Sequence, residues 1–175
     1  NHSLLRQFGP EDWALYKGKH LLSFVDNHDV TRVASILNNE KHLPLIYALM
    51  FCMPGIPCVY YGSEWGAKAR KEDGDPALRA CFDAPVENEL TTYISRLAAI
   101  KKASDALNYG NFRSVLLTNK QCIFERKTGS ERVLLALNAD EAPFDAHFDA
   151  GCGRAEELIS QTTHDFGGGT TLAPY

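Results

Sequence analysis

FVDNHDVTR, residues Phe24 to Arg32, decides how this chain is to be read. It begins inside a largely apolar run, His20 to Val25, interrupted by Ser23. That run has the length and composition of a strand buried on both faces. It then stops abruptly in Asp26, Asn27, His28 and Asp29. The residues after Arg32 are helix-compatible, and from His42 to Met53 apolar residues recur at helical spacing until Pro54 and Gly55 end the pattern. Ile56 to Tyr61, rich in β-branched and aromatic side chains, predicts a second buried strand. Strand, helix, strand is a βαβ unit, and a parallel crossover places the carboxyl ends of both strands on one rim. Ligands collect outside that rim, where loops open and helix amino termini converge.

Working outward, Gly9 to Asp12 read as a loop running into a short helix at Trp13 to Tyr16, ended by Lys17 and Gly18. Residues 62 to 88 carry several glycines, prolines and charges, and a segment of that length points to a functional loop. Glu89 to Ser104 places Leu90, Tyr93, Ile94, Leu97, Ala98 and Ile100 on one face of an amphipathic helix. The pattern then changes. Ser114 to Thr118, Cys122 to Arg126, Arg132 to Asn138, Phe144 to Phe148 and Glu156 to Ile159 are short alternating segments separated by turn signals, hence antiparallel β structure. Thr170 to Tyr175 read as the start of a strand with no following partner. The expected organisation is an α/β part over residues 1–108 and an all-β part over 109–175.

Composition narrows the function classes. With hydrophobic residues at 45%, charged residues at 23% and no apolar stretch near the roughly 18 residues a membrane helix requires, the chain belongs with soluble globular domains. A net charge of −4 with scattered lysines and arginines argues against nucleic acid. Five cysteines without CxxC spacing suggest neither a disulfide framework nor a zinc cluster, and fit reduced thiols in the cytoplasm. The absence of an initiator methionine points to a fragment of a longer protein.

Three roles fit the polar cluster. Asp26 or Asp29 could cap the following helix while His28 packs. Asp26, His28 and Asp29 could ligate a metal, although metal sites usually draw ligands from further apart as well. The third role is acid, base or electrostatic work on a polar substrate, and strand alternation would send Asp26 and His28 one way and Asn27 and Asp29 the other. The second rim, YYGSEWG at Tyr60 to Gly66, combines aromatic faces with a carboxylate, as a sugar-binding rim requires. Tyr60 and Tyr61 are equally compatible with core residues that keep a polar tip, and Glu64 with a brace for the neighbouring loop.

The two rims together are more specific. FVDNHD followed by PGIPCVYYGSEWG, Pro54 to Gly66, resembles the alpha-amylase family of glycoside hydrolases, whose last two barrel strands carry these signatures. YISRLAAIKKASDALNYGNF, Tyr93 to Phe112, is similar to the family's last barrel helix and its exit. The resemblance implies a fold of α/β plus all-β type, the last two βα units of a (β/α)₈ barrel followed by an antiparallel β-sandwich truncated at its last strand. It makes Asp29 the third catalytic carboxylate, which stabilises the transition state. It sets His28, Arg32 and Asn27 at the substrate, with Tyr61 and Glu64 as rim or structural residues. Ser63 stands where the family frequently has aspartate.

The same resemblance implies an α-glucan or maltooligosaccharide substrate, a retaining mechanism, no cofactor and no metal in this region. It also exposes an absence. A retaining glycosidase needs a nucleophile and an acid/base carboxylate about 5 Å apart. Nothing before Phe24 offers a second strand end with a carboxylate, and a complete barrel takes typically ~250 residues. The isolated chain is therefore expected to be inactive, and its orphan strand edges to invite self-association. The competing expectation is a non-catalytic carbohydrate-binding or structural β-sandwich module with a residual α/β segment.

Overall fold

In a computed structural model, which describes residues 6–9 and 14–175, packing divides the chain into two compact units. One comprises His20–Ala99, and the other takes Ile100–Tyr175 together with the stretch up to Lys19. The division falls inside the helix that precedes the 108/109 boundary expected from sequence. Trp13 and residues 10–12 lie outside the described residues, and Leu15 to Gly18 form a turn rather than helix, closed by the Leu15 amide donating to the Arg6 carbonyl at 3.0 Å. Among the described residues no helix is long and apolar enough to cross a membrane.

In the His20–Ala99 unit, strand β1 (Leu22–Ser23) leads through helix α1 (Val33–Ile36) and helix α2 (Leu43–Cys52) to β2 (Ile56–Pro57). The strands pair in parallel, with Leu22 opposite Ile56 and Ser23 opposite Pro57. Helix α2 buries Leu43, Tyr47, Ala48, Met50 and Phe51. It stops because Pro54 forces the preceding Met53 out of helical space, to φ −66° and ψ 156°. The turn that follows needs Gly55, where φ is +119° and a Cβ would stand 2.5 Å from the Leu21 carbonyl oxygen.

Both expected strands are shorter than their apolar runs, and the expectation of burial on both faces is overturned. Leu22 is 60% exposed, Ile56 54% and Phe24 49%. The reason is geometric: among the described residues each strand pairs only with the other, so the outward side chains meet no covering layer. A 3₁₀ turn at Ser63–Trp65, another at Lys71–Asp73 and helix α3 (Asp75–Leu78) occupy the long loop, before helix α4 (Glu89–Ala103) crosses into the second unit.

The second unit continues with helix α5 (Asp105–Tyr109), capped by Ser104 Oγ, which accepts from the Leu107 amide at 3.1 Å. Strands β3 (Asn111–Leu117), β4 (Gln121–Lys127) and β5 (Arg132–Asn138) form an antiparallel sheet in that order. Phe112 and Phe124 meet in its core with ring centroids 5.0 Å apart, beside buried Ile123, Ala106 and Leu107. Two further antiparallel pairs join β6 (Phe144–Ala146) to β9 (Thr170–Leu172), and β7 (Arg154–Glu157) to β8 (Thr162–Asp165).

The segment from Thr170, read as a strand with no following partner, turns back to pair with the preceding Phe144–Ala146. Asn138 secures that return, donating to the carbonyls of Ala142 at 2.8 Å and Ala173 at 3.1 Å. All five cysteines are free, and burial pushes the Cys122 thiol up to about 11.

Glu125 on β4 is the electrostatic centre of this sheet. Its carboxylate accepts from Arg113 Nε at 3.0 Å and is also paired with Arg132, while its own side chain is 8% exposed. The hydrogen bond from Arg113 holds the Glu125 carboxyl below the usual glutamate range, against the upward pull of burial, with Arg132 adding to the depression. A depressed folded-state pKa contributes stability above the ordinary value, and that stability is lost as pH falls through the folded-state value. Glu125→Gln is expected to cost about 1.5–3 kcal/mol at neutral pH. Urea titrations should show the gap to wild type shrinking below the ordinary glutamate range near ~4.3. A pH-independent gap would contradict this role.

Candidate functional site

Regular strand pairing ends at Ser23, so the polar cluster lies on a loop rather than along a strand. Asn27 Oδ1 accepts from the Asp29 amide at 2.8 Å, an Asx turn that redirects the chain. That turn replaces the alternation expected of a strand. His28 and Asp29, which alternation would send apart, come together with Nε2 3.2 Å from Oδ2, and both are exposed to solvent.

Asp26 goes the other way. It is 1% exposed, its Oδ2 accepts from the Val33 amide at 2.9 Å, and Ser63 Oγ donates to its carboxylate from 2.8 and 3.0 Å. The bond to Val33 satisfies an amide at the start of α1, the capping role open to Asp26 from sequence. Among the described residues no three His, Cys, Asp or Glu side chains are grouped for a metal ion.

Arg32 departs from the expectation of a substrate contact. It is 1% exposed. Its Nη1 donates to the Tyr61 carbonyl at 2.7 Å and to Ser63 Oγ at 3.0 Å, and its Nη2 to the Leu78 carbonyl at 3.1 Å. The guanidinium lies 4.5 Å from the Tyr60 ring centroid, 5.3 Å from Tyr61 and 6.0 Å from Phe82. A planar cation with five donors suits such a mixture of acceptors and aromatic faces. Gly62 makes room for it, since at φ +87° a Cβ would meet the Phe82 ring at 2.8 Å and Arg32 Nη1 at 3.2 Å.

Around this centre the second rim is closed. Tyr47 of α2, fully buried, donates to the Ser63 carbonyl at 2.9 Å. Burial, then the charges of Asp26 and Glu64, push its phenol well above the usual tyrosine range. Tyr61 remains 44% exposed, and its hydroxyl donates to the Ala80 carbonyl at 2.9 Å. Glu64 is half-buried, and its Oε2 is buried without a hydrogen-bond partner among the described residues.

Sequence reasoning missed Arg79 and Asp75. Arg79 Nη2 stands 3.2 Å from Asp29 Oδ1, and its Nη1 is 2.9 Å from Asp75 Oδ2, an i,i+4 pair across α3. The available signal was the spacing Asp75-x-x-x-Arg79 inside a loop already suspected of function. Asp29 thus presents a carboxylate at the surface with an imidazole at one oxygen and a guanidinium at the other. Such a group can accept hydrogen bonds from a polyol and stabilise positive charge developing beside it.

Comparison with known proteins follows the same lines. The family model for the alpha-amylase catalytic domain matches residues 11–116. An alpha-amylase of Niallia circulans is 32% identical over 125 residues, which is 70% of this chain and 23% of that protein. A cyclomaltodextrin glucanotransferase of the same organism is 32% identical over 120 residues, 67% of this chain and 16% of that protein. The chain thus spans under a quarter of the length of these relatives. A crystal structure of an Anoxybacillus alpha-amylase superimposes with a TM-score of 0.78 at 23% identity, covering 89% of this chain and 36% of that one, a likeness of fold.

Removing the buried guanidinium leaves the Ser63 hydroxyl and the Tyr61 and Leu78 carbonyls without its donors. Arg32→Ala is expected to lower stability by about 3–5 kcal/mol. Arg32→Lys, lacking the planar fork, should recover only part of it. Urea unfolding at neutral pH measures both, and wild-type stability in Arg32→Ala would contradict the assignment.

Proposed function

The chain belongs to the alpha-amylase family, and from that premise we propose that it is the carboxy-terminal part of a retaining glycoside hydrolase acting on α-linked glucans or maltooligosaccharides. The observation that carries this reading is the open loop on which Asp29 and His28 share one exposed site. In this reading Asp29 accepts hydrogen bonds from sugar hydroxyls and stabilises the oxocarbenium-like transition state, while His28 donates to the same sugar. Arg32 holds the loop rather than touches the sugar, because its Nη donors are spent on Tyr61, Ser63 and Leu78, while Asn27 sets the turn through Oδ1 and keeps its amide nitrogen for the sugar. Tyr61 contributes an aromatic rim, and Glu64 braces the turn beneath it.

The nucleophile and the acid/base carboxylate belong to other strands of the parent protein, so the 175-residue chain has no turnover of its own. In this reading the parallel strands and helices of His20–Ala99 are the last βα units of a (β/α)₈ barrel domain that ends near residue 108, and the antiparallel pairs after it belong to a β-sandwich. The apolar residues left open at Leu22, Phe24 and Ile56 support a barrel continued by further strands. In the isolated chain they are a route to self-association. The odd number of cysteines without CxxC spacing favours a cytoplasmic location.

Two measurements test this. In the full-length protein, Asp29→Asn is expected to lower kcat on a maltooligosaccharide by about 10²–10³, and an unchanged kcat would favour a non-catalytic module. Light scattering of the isolated chain should show concentration-dependent association, and a monodisperse monomer would contradict the open-edge reading.

A further inference from the structure

The loop that carries Asn27, His28 and Asp29 begins after Asp26 and ends at Arg32. Both flanking residues are 1% exposed, as is Ser63, the residue on which both converge. The Ser63 hydroxyl accepts from Arg32 Nη1 at 3.0 Å and donates to the two carboxylate oxygens of Asp26 from 3.0 and 2.8 Å. One side-chain oxygen on the second rim therefore closes the first-rim loop at both ends. The main chain of Ser63 is itself anchored, because buried Tyr47 donates to its carbonyl at 2.9 Å.

Further contacts hold the downstream end. The Arg32 amide donates to the Ala69 carbonyl at 2.9 Å, and the Lys71 amide to Thr31 Oγ1 at 2.9 Å. The upstream end is held by the Asp26 side chain, through Ser63 and the Val33 amide, and three residues earlier by the Cys58 amide, which donates to the Ser23 carbonyl at 2.7 Å. Asp26 and Arg32 make no direct ion pair within 4.0 Å, so the hydroxyl is the bridge between these buried opposite charges. A bridge of this kind, with its donor and acceptor roles set by the two charges, is short and directional.

We infer that Ser63 is a positioning residue for Asp29, a hydroxyl clasp that fixes the span of the 27–31 loop and so the place of its carboxylate at the sugar. The inference rests on the reading of Asp29 given above. Loss of the clasp leaves Asp29 present but less accurately placed. The effect falls on the transition state more than on ground-state binding.

The test uses the full-length protein carrying this chain, with kinetics on a maltooligosaccharide and thermal melts of the same samples. Ser63→Ala is expected to lower kcat about a hundredfold while KM changes little, and Ser63→Thr, which keeps the hydroxyl, to recover most of the lost rate. Asp26→Asn weakens the same clasp from its other side, so the double variant should be no slower than the slower single one.

Wild-type kcat in folded Ser63→Ala, or losses that multiply in the double variant, would overturn the inference. If Ser63→Ala does not fold, Ser63→Cys keeps the volume with a weaker donor. It should show an intermediate loss of kcat, and wild-type kcat there would equally overturn the clasp. Inactivity of the wild-type parent on glucans would overturn the functional reading alone. The melts then decide the clasp: non-additive shifts for Ser63→Ala, or Ser63→Cys in its place, and Asp26→Asn support it, and additive shifts overturn it.

Discussion

A guanidinium with 1% exposure must find partners for its donors inside the protein, and the site is organised around how Arg32 does so. Its partners come from three places in the chain: the Tyr61 carbonyl, the Ser63 hydroxyl and the Leu78 carbonyl. Meeting them draws the end of the first loop, the turn after β2 and the end of α3 to one point. The same requirement explains the glycine at 62, where a side chain would fall on both Arg32 and Phe82. It explains the aromatic surroundings as well, since Tyr60, Tyr61 and Phe82 present π-faces to a weakly hydrated cation.

The polar residues of FVDNHDVTR therefore divide into two sets with different physics. Asp26 and Arg32 are buried, hydrogen-bonded and expensive to disturb. His28 and Asp29 are exposed, and the contact between them and the ion pair of Asp29 with Arg79 are surface contacts of small energy. Weak pairing is what a ligand site requires, because a sugar hydroxyl can replace such partners at little cost. A rigid buried set beneath an open set of exchangeable contacts is how a loop can hold a reactive carboxylate in place without occupying it.

Much of this was legible before the structure. The two helices at Leu43–Cys52 and Glu89–Ala103 and the three strands from Asn111 to Asn138 follow from apolar periodicity and turn residues. The strands at Leu22–Ser23 and Ile56–Pro57 were placed correctly but read as too long and too deeply buried, because an apolar run records what a sheet could cover, not what is present to cover it. The strand at Thr162–Asp165 was missed since Thr, Thr, His and Asp, all exposed, carry no alternation.

At the site, the rim motifs mark the two loops that meet around Arg32 but not the division of labour within them. Arg32 is bonded to Ser63 across 31 residues, Ser63 to Asp26 across 37 and Arg79 to Asp29 across 50. No local pattern encodes such closures. Ser63, which sequence offered only as a departure from the family's frequent residue, proves to be where the two rims join.

The central claim is that a buried Asp26–Ser63–Arg32 unit presents Asp29 and His28 to a sugar while staying clear of it. A crystal structure of the full-length protein with a bound maltooligosaccharide tests this most directly. The account predicts Asp29 and His28 within hydrogen-bonding distance, about 3 Å, of hydroxyls on one sugar ring, with Arg32 still enclosed by Tyr61, Ser63 and Leu78. A sugar bound through Arg32, or one that leaves Asp29 without a contact, would contradict it.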